Sequence, residues 1–145
     1  MLCRNFIRFL GILLFATNLT AGELHKAAYA NNAELIRALV KKGAPVNKIN
    51  SNGMWPLLIA CTYGNKKAVI ALLASGANVN FANSSGYTAL HEASSQGYDQ
   101  IVKLLIKAGA DINKRDISGY NALDYAEMQG ARKVIRILKR YGAKE

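Results

Sequence analysis

Apolar residues return along this chain at one fixed interval. Leu24, Leu57, Leu90 and Leu123 form one column, and Ala27, Ala60, Ala93 and Ala126 a second. Glycines keep the same spacing. Gly43, Gly76, Gly109 and Gly142 are each followed by alanine; Gly53, Gly86 and Gly119 form another set; Gly64, Gly97 and Gly130 a third, with Asn31 one period earlier. Asn47, Asn80 and Asn113 make a polar column. A period held in so many columns means stacked copies of one supersecondary unit, a solenoid.

Within each period the pattern predicts two helices. Thr88 and Asn121 stand just before apolar positions, where a helix N-cap is wanted. Pro56 takes the first-turn position in its own unit, where proline is tolerated. The first helix should stop at Gly97 or Gly130, residues that accept the left-handed conformation, with Asn31 as the tolerant substitute. A second helix then carries apolar residues at i, i+1 and i+4, as in Ile101, Val102 and Leu105, and ends near Gly76 or Gly109. "GANVN" and "GADIN" lead into an extended stretch, and "NSSG" and "DISG" read as hairpin-like tips. The expected fold is all-α: helix–turn–helix units with protruding β-hairpin-like turns. At the last unit the apolar column Val40, Leu73, Ile106 becomes Lys139, and the small column Ala28, Cys61, Ser94 becomes Glu127. Terminal repeats need a polar outer face, so the stack is expected to finish there.

The first residues break the period. Arg4 and Arg8 precede an unbroken apolar run, Phe9 to Ala16, and small residues follow to Ala21. That order predicts a secretory signal peptide over 1–21, cut after Ala21 or, as second choice, after Ala16. The run is about half the ~20 residues a membrane span needs; an uncleaved N-terminal anchor is the rival reading. Removal of residues 1–21 takes away Arg4, Arg8 and Cys3. The mature chain then has 17 Lys and Arg against 9 Asp and Glu, a charge of +8, and Cys61 as its one cysteine. No internal disulfide is then available, and Cys61 reads as a small buried residue.

The stretch "GYTALHEASSQGYDQIVKLLIKAGADIN", Gly86 to Asn113, resembles the ankyrin repeat. Three further copies extend the resemblance over Gly22 to Ala143, giving units of about 22–49, 50–82, 83–115 and 116–145. Ala89 and Ala122 depart from the family's proline, and Trp55 from its threonine. The resemblance implies that His25 and His91 hydrogen-bond neighbouring turns. It also implies that first helices and turns line a concave surface for a protein partner.

Candidate chemistry narrows from there. "LHEASS" offers the His-Glu of a zinc-hydrolase helix, but Ser95 stands where the second histidine belongs, and Leu58 replaces His91 one period earlier. No metal, cofactor or small-molecule substrate is expected. No phosphate-cradling, nucleophile-elbow or paired-cysteine motif is present, so the chain does not read as an enzyme. Aromatic and Met residues in the columns that face the groove in ankyrin proteins suit binding hot spots: Tyr29, Met54, Tyr63, Tyr87, Tyr120 and Met128. Packing between units is the alternative for Tyr87 and Tyr120.

The last helix carries Arg132, Lys133, Arg136, Lys139 and Arg140, with Lys144 beyond. It reads as a solvated cap, or as a contact for an acidic protein face or lipid headgroups, with nucleic acid the weakest choice. Asn83-Ser84-Ser85 is a glycosylation sequon, inert in a bacterial producer, which the short plain leader favours. Three functional classes follow: an exported, monomeric protein-binding module, periplasmic or secreted; an inhibitor or immunity protein blocking a toxin or enzyme; and an anionic-surface binder acting through the basic end.

Overall fold

The computed structural model describes residues 21–145; the signal peptide expected over 1–21, apart from Ala21, lies outside them. Among the described residues eight helices follow in four pairs. They are α1 over 21–29, α2 Ala33–Lys41, α3 Pro56–Thr62, α4 Lys66–Ala74, α5 Ala89–Gln96, α6 Asp99–Lys107, α7 Ala122–Met128 and α8 Arg132–Arg140. The first helices pack as one row, α3 on α5 and α5 on α7. The second helices pack as another, α2 on α4, α4 on α6 and α6 on α8. Between the rows lies a continuous core of the periodic columns, including Leu24, Leu57, Leu90 and Leu123, all fully buried or nearly so. The all-α stack of helix–turn–helix units is therefore observed.

Local chemistry sets each boundary. Thr88 Oγ1 accepts from the His91 amide, and Asn121 Oδ1 accepts from the Asp124 amide at 3.0 Å; both are N-caps. Pro56 opens α3, and the preceding cap position is held by Trp55, which makes no side-chain capping bond. Asn31 (φ 53°) and Gly97 (φ 74°) turn the chain through the left-handed region between paired helices.

The tips share one device that the periodic columns did not disclose. Asn50, Asn83 and Asp116 each use a side-chain oxygen to accept two amides, those two and four residues on, at 2.9–3.0 Å. A backbone bond also closes each tip, as from Asp116 N to Tyr120 O at 2.9 Å. Ladder pairing is slight: the described residues hold one isolated bridge, Ala82 with Thr88. Neighbouring tips join where Ile117 N donates to Ser85 O at 2.9 Å. The asparagine column staples each unit to the next: Asn47, Asn80 and Asn113 accept from the amides of Asn78, Asp111 and Lys144.

Gly86 is the tip glycine with least room. Its φ is 72°, and a Cβ there would lie 3.3 Å from Asp116 Cα. Gly53 and Gly119 share the positive φ but face open space. Alanine at those two positions is expected to cost about 1 kcal/mol of backbone strain. Gly86→Ala should cost about 1–2 kcal/mol more, because the backbone of the next unit must shift. Urea midpoints of the three variants measure this; equal losses would show that the tips are not tightly coupled.

The two polar substitutions at the last unit meet each other. Lys139 Nζ lies 3.2 Å from Glu127 Oε1, joining α7 to α8 on the outer end face, and 3.3 Å from Glu145. The Glu127 contact holds the Lys139 ammonium above its ordinary value. With both partners nearly half exposed, the pair keeps this face wet and adds little stability.

Candidate functional site

His91 shows how the unit uses its histidine. Its Nδ1 accepts the Thr88 amide at 3.0 Å, so that nitrogen carries no proton. Its Nε2 therefore bears the hydrogen and donates to Lys114 O at 2.9 Å, tying α5 to the following turn. Burial lowers its basicity below the ordinary histidine value. His25 also reaches a following turn, with Nε2 at 2.8 Å from Lys48 O, but its Nδ1 faces a carbonyl, Ala21 O at 2.6 Å, where His91 Nδ1 meets an amide. The second unit replaces this bond with apolar contact: Leu58 holds the histidine position, and Trp55 meets Phe81 edge-on, ring centroids 5.0 Å apart. Both ring nitrogens of both histidines are thus engaged. Among the described residues no three His, Cys, Asp or Glu side chains converge on a point that could hold a metal ion. Cys61 is fully buried, and desolvation, aided by the Glu92 charge, pushes its thiol well above the ordinary range. It is packing material, not a nucleophile.

The aromatic positions fall into two groups on the first-helix side. In the first, Tyr29 and Tyr63 meet edge-on at 4.7 Å, at the ends of α1 and α3, while remaining 60% and 55% exposed. In the second, Tyr87, His91, Tyr120 and Tyr125 form a cluster. Tyr87 stacks on His91 at 5.3 Å, and Tyr125 presents its edge to Tyr87 at 5.4 Å and lies 6.0 Å from Tyr120. The hydroxyls are tied down: Tyr87 donates to Glu92 Oε2 at 2.9 Å and Tyr125 to Asp116 Oδ2 at 2.6 Å.

Burial first, then Glu92, raises the Tyr87 phenol far above its usual value. Burial and Asp116 push Tyr125 up to about 12. Burial works against Asp116 ionising, yet the Tyr125 hydroxyl and the Tyr120 and Ser118 amides outweigh it and hold the carboxyl below its usual value.

Of the six expected contact residues, four stand out from the surface: Tyr29, Tyr63, Tyr120 at 45% exposure and Met128 at 56%. Tyr87 and Met54 are half-buried against the core, and the Met54 carbonyl sits 3.2 Å from His25 Nε2. Tyr87 and Tyr120 are not a simple row, because Tyr125 joins both. Sequence reading missed Tyr125, Glu92 and Asp116. Tyr125 shares a column with Lys26, Ile59 and Glu92, chemically unlike residues, so the period carried no hint of it.

A profile described as ankyrin repeats (3 copies) matches residues 24–116 and, overlapping, 76–145. The chain belongs to the ankyrin-repeat family. The two spans together cover the four helix pairs almost end to end. A search of curated proteins gave no match. Ankyrin repeats are in general non-catalytic modules that bind protein partners, and the expectation from the sequence puts the contact on the first-helix side with its tips. On this ankyrin-repeat protein that side carries the exposed Tyr29, Tyr63 and Tyr120, while a fourth exposed tyrosine, Tyr141, caps α8. The opposite, second-helix side carries the basic residues expected of the last helix. Arg132, Lys133, Arg136, Lys139 and Arg140 are all exposed. Apart from Lys139, none of them is in an ion pair among the described residues.

Proposed function

We propose that this ankyrin-repeat protein is an exported, non-catalytic binding module that grips one protein partner along its first-helix side. The observation that carries the reading is the Tyr29–Tyr63 pair. These are two large rings touching edge-on, more than half exposed, on a scaffold whose core is already filled. Rigid, amphipathic side chains of this kind lose little conformational freedom on binding and dominate interface energies. Tyr120 and Met128 extend the strip to the far units. Tyr87 serves it from below, by bracing Tyr125 and hence Tyr120.

Partner capture by immobilised protein, with the captured chain identified and its affinity then measured, tests the assignment. Tyr29→Ala with Tyr63→Ala should weaken binding by about 2 kcal/mol or more, roughly thirtyfold, with a near-native melt. Unchanged affinity in the folded double variant would move the contact surface elsewhere.

Export rests on the leader pattern of residues 1–21. Ala21 is itself buried, and its carbonyl receives His25 Nδ1, so a cut after Ala21 would remove a contact that a cut after Ala16 would keep. N-terminal sequencing of exported protein distinguishes Gly22 from Thr17 as the first residue. Recovery of the full-length chain from the membrane would favour an anchor.

A further inference from the structure

Charge is sorted between the two helix rows. The second helices hold eleven Lys and Arg, two in each of α2, α4 and α6 and five in α8, against two acids, Glu34 and Asp99. The first helices hold one, Lys26, against four acids: Glu23, Glu92, Asp124 and Glu127. The excess is therefore not confined to the last helix.

It is also in register. Arg37 and Lys41 in α2, Lys103 and Lys107 in α6, and Arg136 and Arg140 in α8 occupy the same two columns, one period apart between α6 and α8 and two periods between α2 and α6. In α4 those columns hold Ile70, itself exposed, and Ala74. Each pair is spaced i, i+4, so both cations project from one face of their helix. Like charges at that spacing destabilise a helix by a few tenths of a kcal/mol, yet three of the four units carry the arrangement. None of the six forms an ion pair among the described residues. Between α6 and α8 the array dips into an open depression of about 280 Å³, lined by Lys103, Lys133, Arg136, Arg140, Asp99 and Ile137.

We propose that the outer face formed by α2, α4, α6 and α8 docks on an anionic lipid surface, with phosphate headgroups seated along the two cationic columns and in the α6–α8 depression. Neighbouring packed helices lie about 8–10 Å apart, close to the ~8 Å screening length of physiological salt, so the α6 and α8 pairs act as one patch, while the α2 pair, across Ile70 and Ala74 of α4, stands about two helix spacings off. A two-dimensional lattice of cations suits a sheet of headgroups better than a single strand of phosphates. The exposed Ile70 among the cations suits the headgroup–acyl boundary. Single-stranded nucleic acid would want successive bases stacked on aromatic rings; Tyr141 at the end of α8 is a single exposed ring on this row, and the clustered tyrosines lie on the other. The two faces are independent, so the protein would sit on a membrane with its tyrosine side free for a partner.

The test is flotation of the full chain with vesicles of phosphatidylcholine alone and of phosphatidylcholine mixed with phosphatidylglycerol, at low and raised salt. Residues 1–20 add apolar binding to both vesicle types, and Arg4 and Arg8 add binding to the anionic ones, equally in every variant, so the comparison among variants isolates the charge of the helix face. The anionic vesicles should bind in preference, and salt should abolish the difference. The triple variant Lys103→Gln, Arg136→Gln, Arg140→Gln should lose the preference by on the order of a hundredfold. The equally charged control Lys26→Gln, Lys114→Gln, Lys144→Gln and the Tyr29→Ala, Tyr63→Ala variant should keep most of it. Circular dichroism confirms that each variant is folded. Equal binding to both vesicle types, or equal loss in both triple variants, overturns the proposal. So does tight capture of duplex DNA or polyglutamate with no vesicle binding.

Discussion

Trp55→Ala should lower the melting temperature by on the order of 15 °C, from a loss of about 3–5 kcal/mol. Trp55 is the largest fully buried side chain of the stack, and its ring edge meets Phe81 on the stretch that leads to the next tip. Removing it opens a cavity in a stack whose units support only their neighbours. The indole also carries a buried Nε1–H with no partner among the described residues. Leaving such a donor unpaired works against the native state by about 1–3 kcal/mol. Trp55→Phe, which drops the donor and keeps most of the ring, should therefore cost far less than Trp55→Ala. Trp55→Thr restores a capping hydroxyl worth about 1 kcal/mol, but cannot refill the space. Thermal melts of the three variants rank these effects. A drop of only a few degrees in Trp55→Ala would mean that the second unit collapses around the missing ring. A double-mutant cycle with Phe81→Ala should show positive coupling of about 1 kcal/mol.

His91 should make the stack acid-sensitive. Protonation of Nδ1 would set a donor against the Thr88 amide and break the capping box. Its folded value is lowered from 6.5, with burial the main cause; the Lys114 carbonyl and Asp116 pull the other way. The unfolded chain therefore binds the proton more readily than the folded one. Stability is fully present above the unfolded value near 6.5. It is lost as pH falls from there towards the folded value, with a slope of at most about 1.4 kcal/mol per pH unit.

Asp116 is likewise lowered, from 3.8, so its contribution has the same sign but survives through this window and fades only as pH falls below the ordinary carboxylate range. Urea midpoints from pH 7.5 to pH 5, compared between the wild type and His91→Leu, isolate the histidine. The leucine variant copies the arrangement at Leu58 and should titrate with a shallower slope. At neutral pH it should still lose about 2 kcal/mol, because two hydrogen bonds go and the Lys114 carbonyl is stranded. Identical pH slopes in the two proteins would show that His91 does not control the acid limb.

The architecture was legible because it is periodic. Columns of leucine, alanine and glycine at one shared interval specify a unit that can bury its apolar face only against copies of itself. Thr88, Asn121, Pro56, Gly97 and Asn31 mark its boundaries by chemistry that acts over three or four residues. The asparagine column and the histidines were visible as columns too, although their partners were not. The contact residues were legible only in part. Tyr29, Tyr63, Tyr120 and Met128 are exposed, while Met54 and Tyr87 sink halfway into the core.

What the sequence by itself determined is the repeat, its helices and its polar last face. These depend on spacing along the chain, which folding preserves. Only the tertiary structure decided which non-periodic residues meet. It joined Glu127 to Lys139 across two helices and set Tyr125 between Tyr87 and Tyr120. It replaced a histidine bond by Trp55 on Phe81 and gathered the cations of four helices on one side. The physical reason is that each of these depends on distances between units. Side-chain size and direction set those distances, and a column of unlike residues does not reveal them.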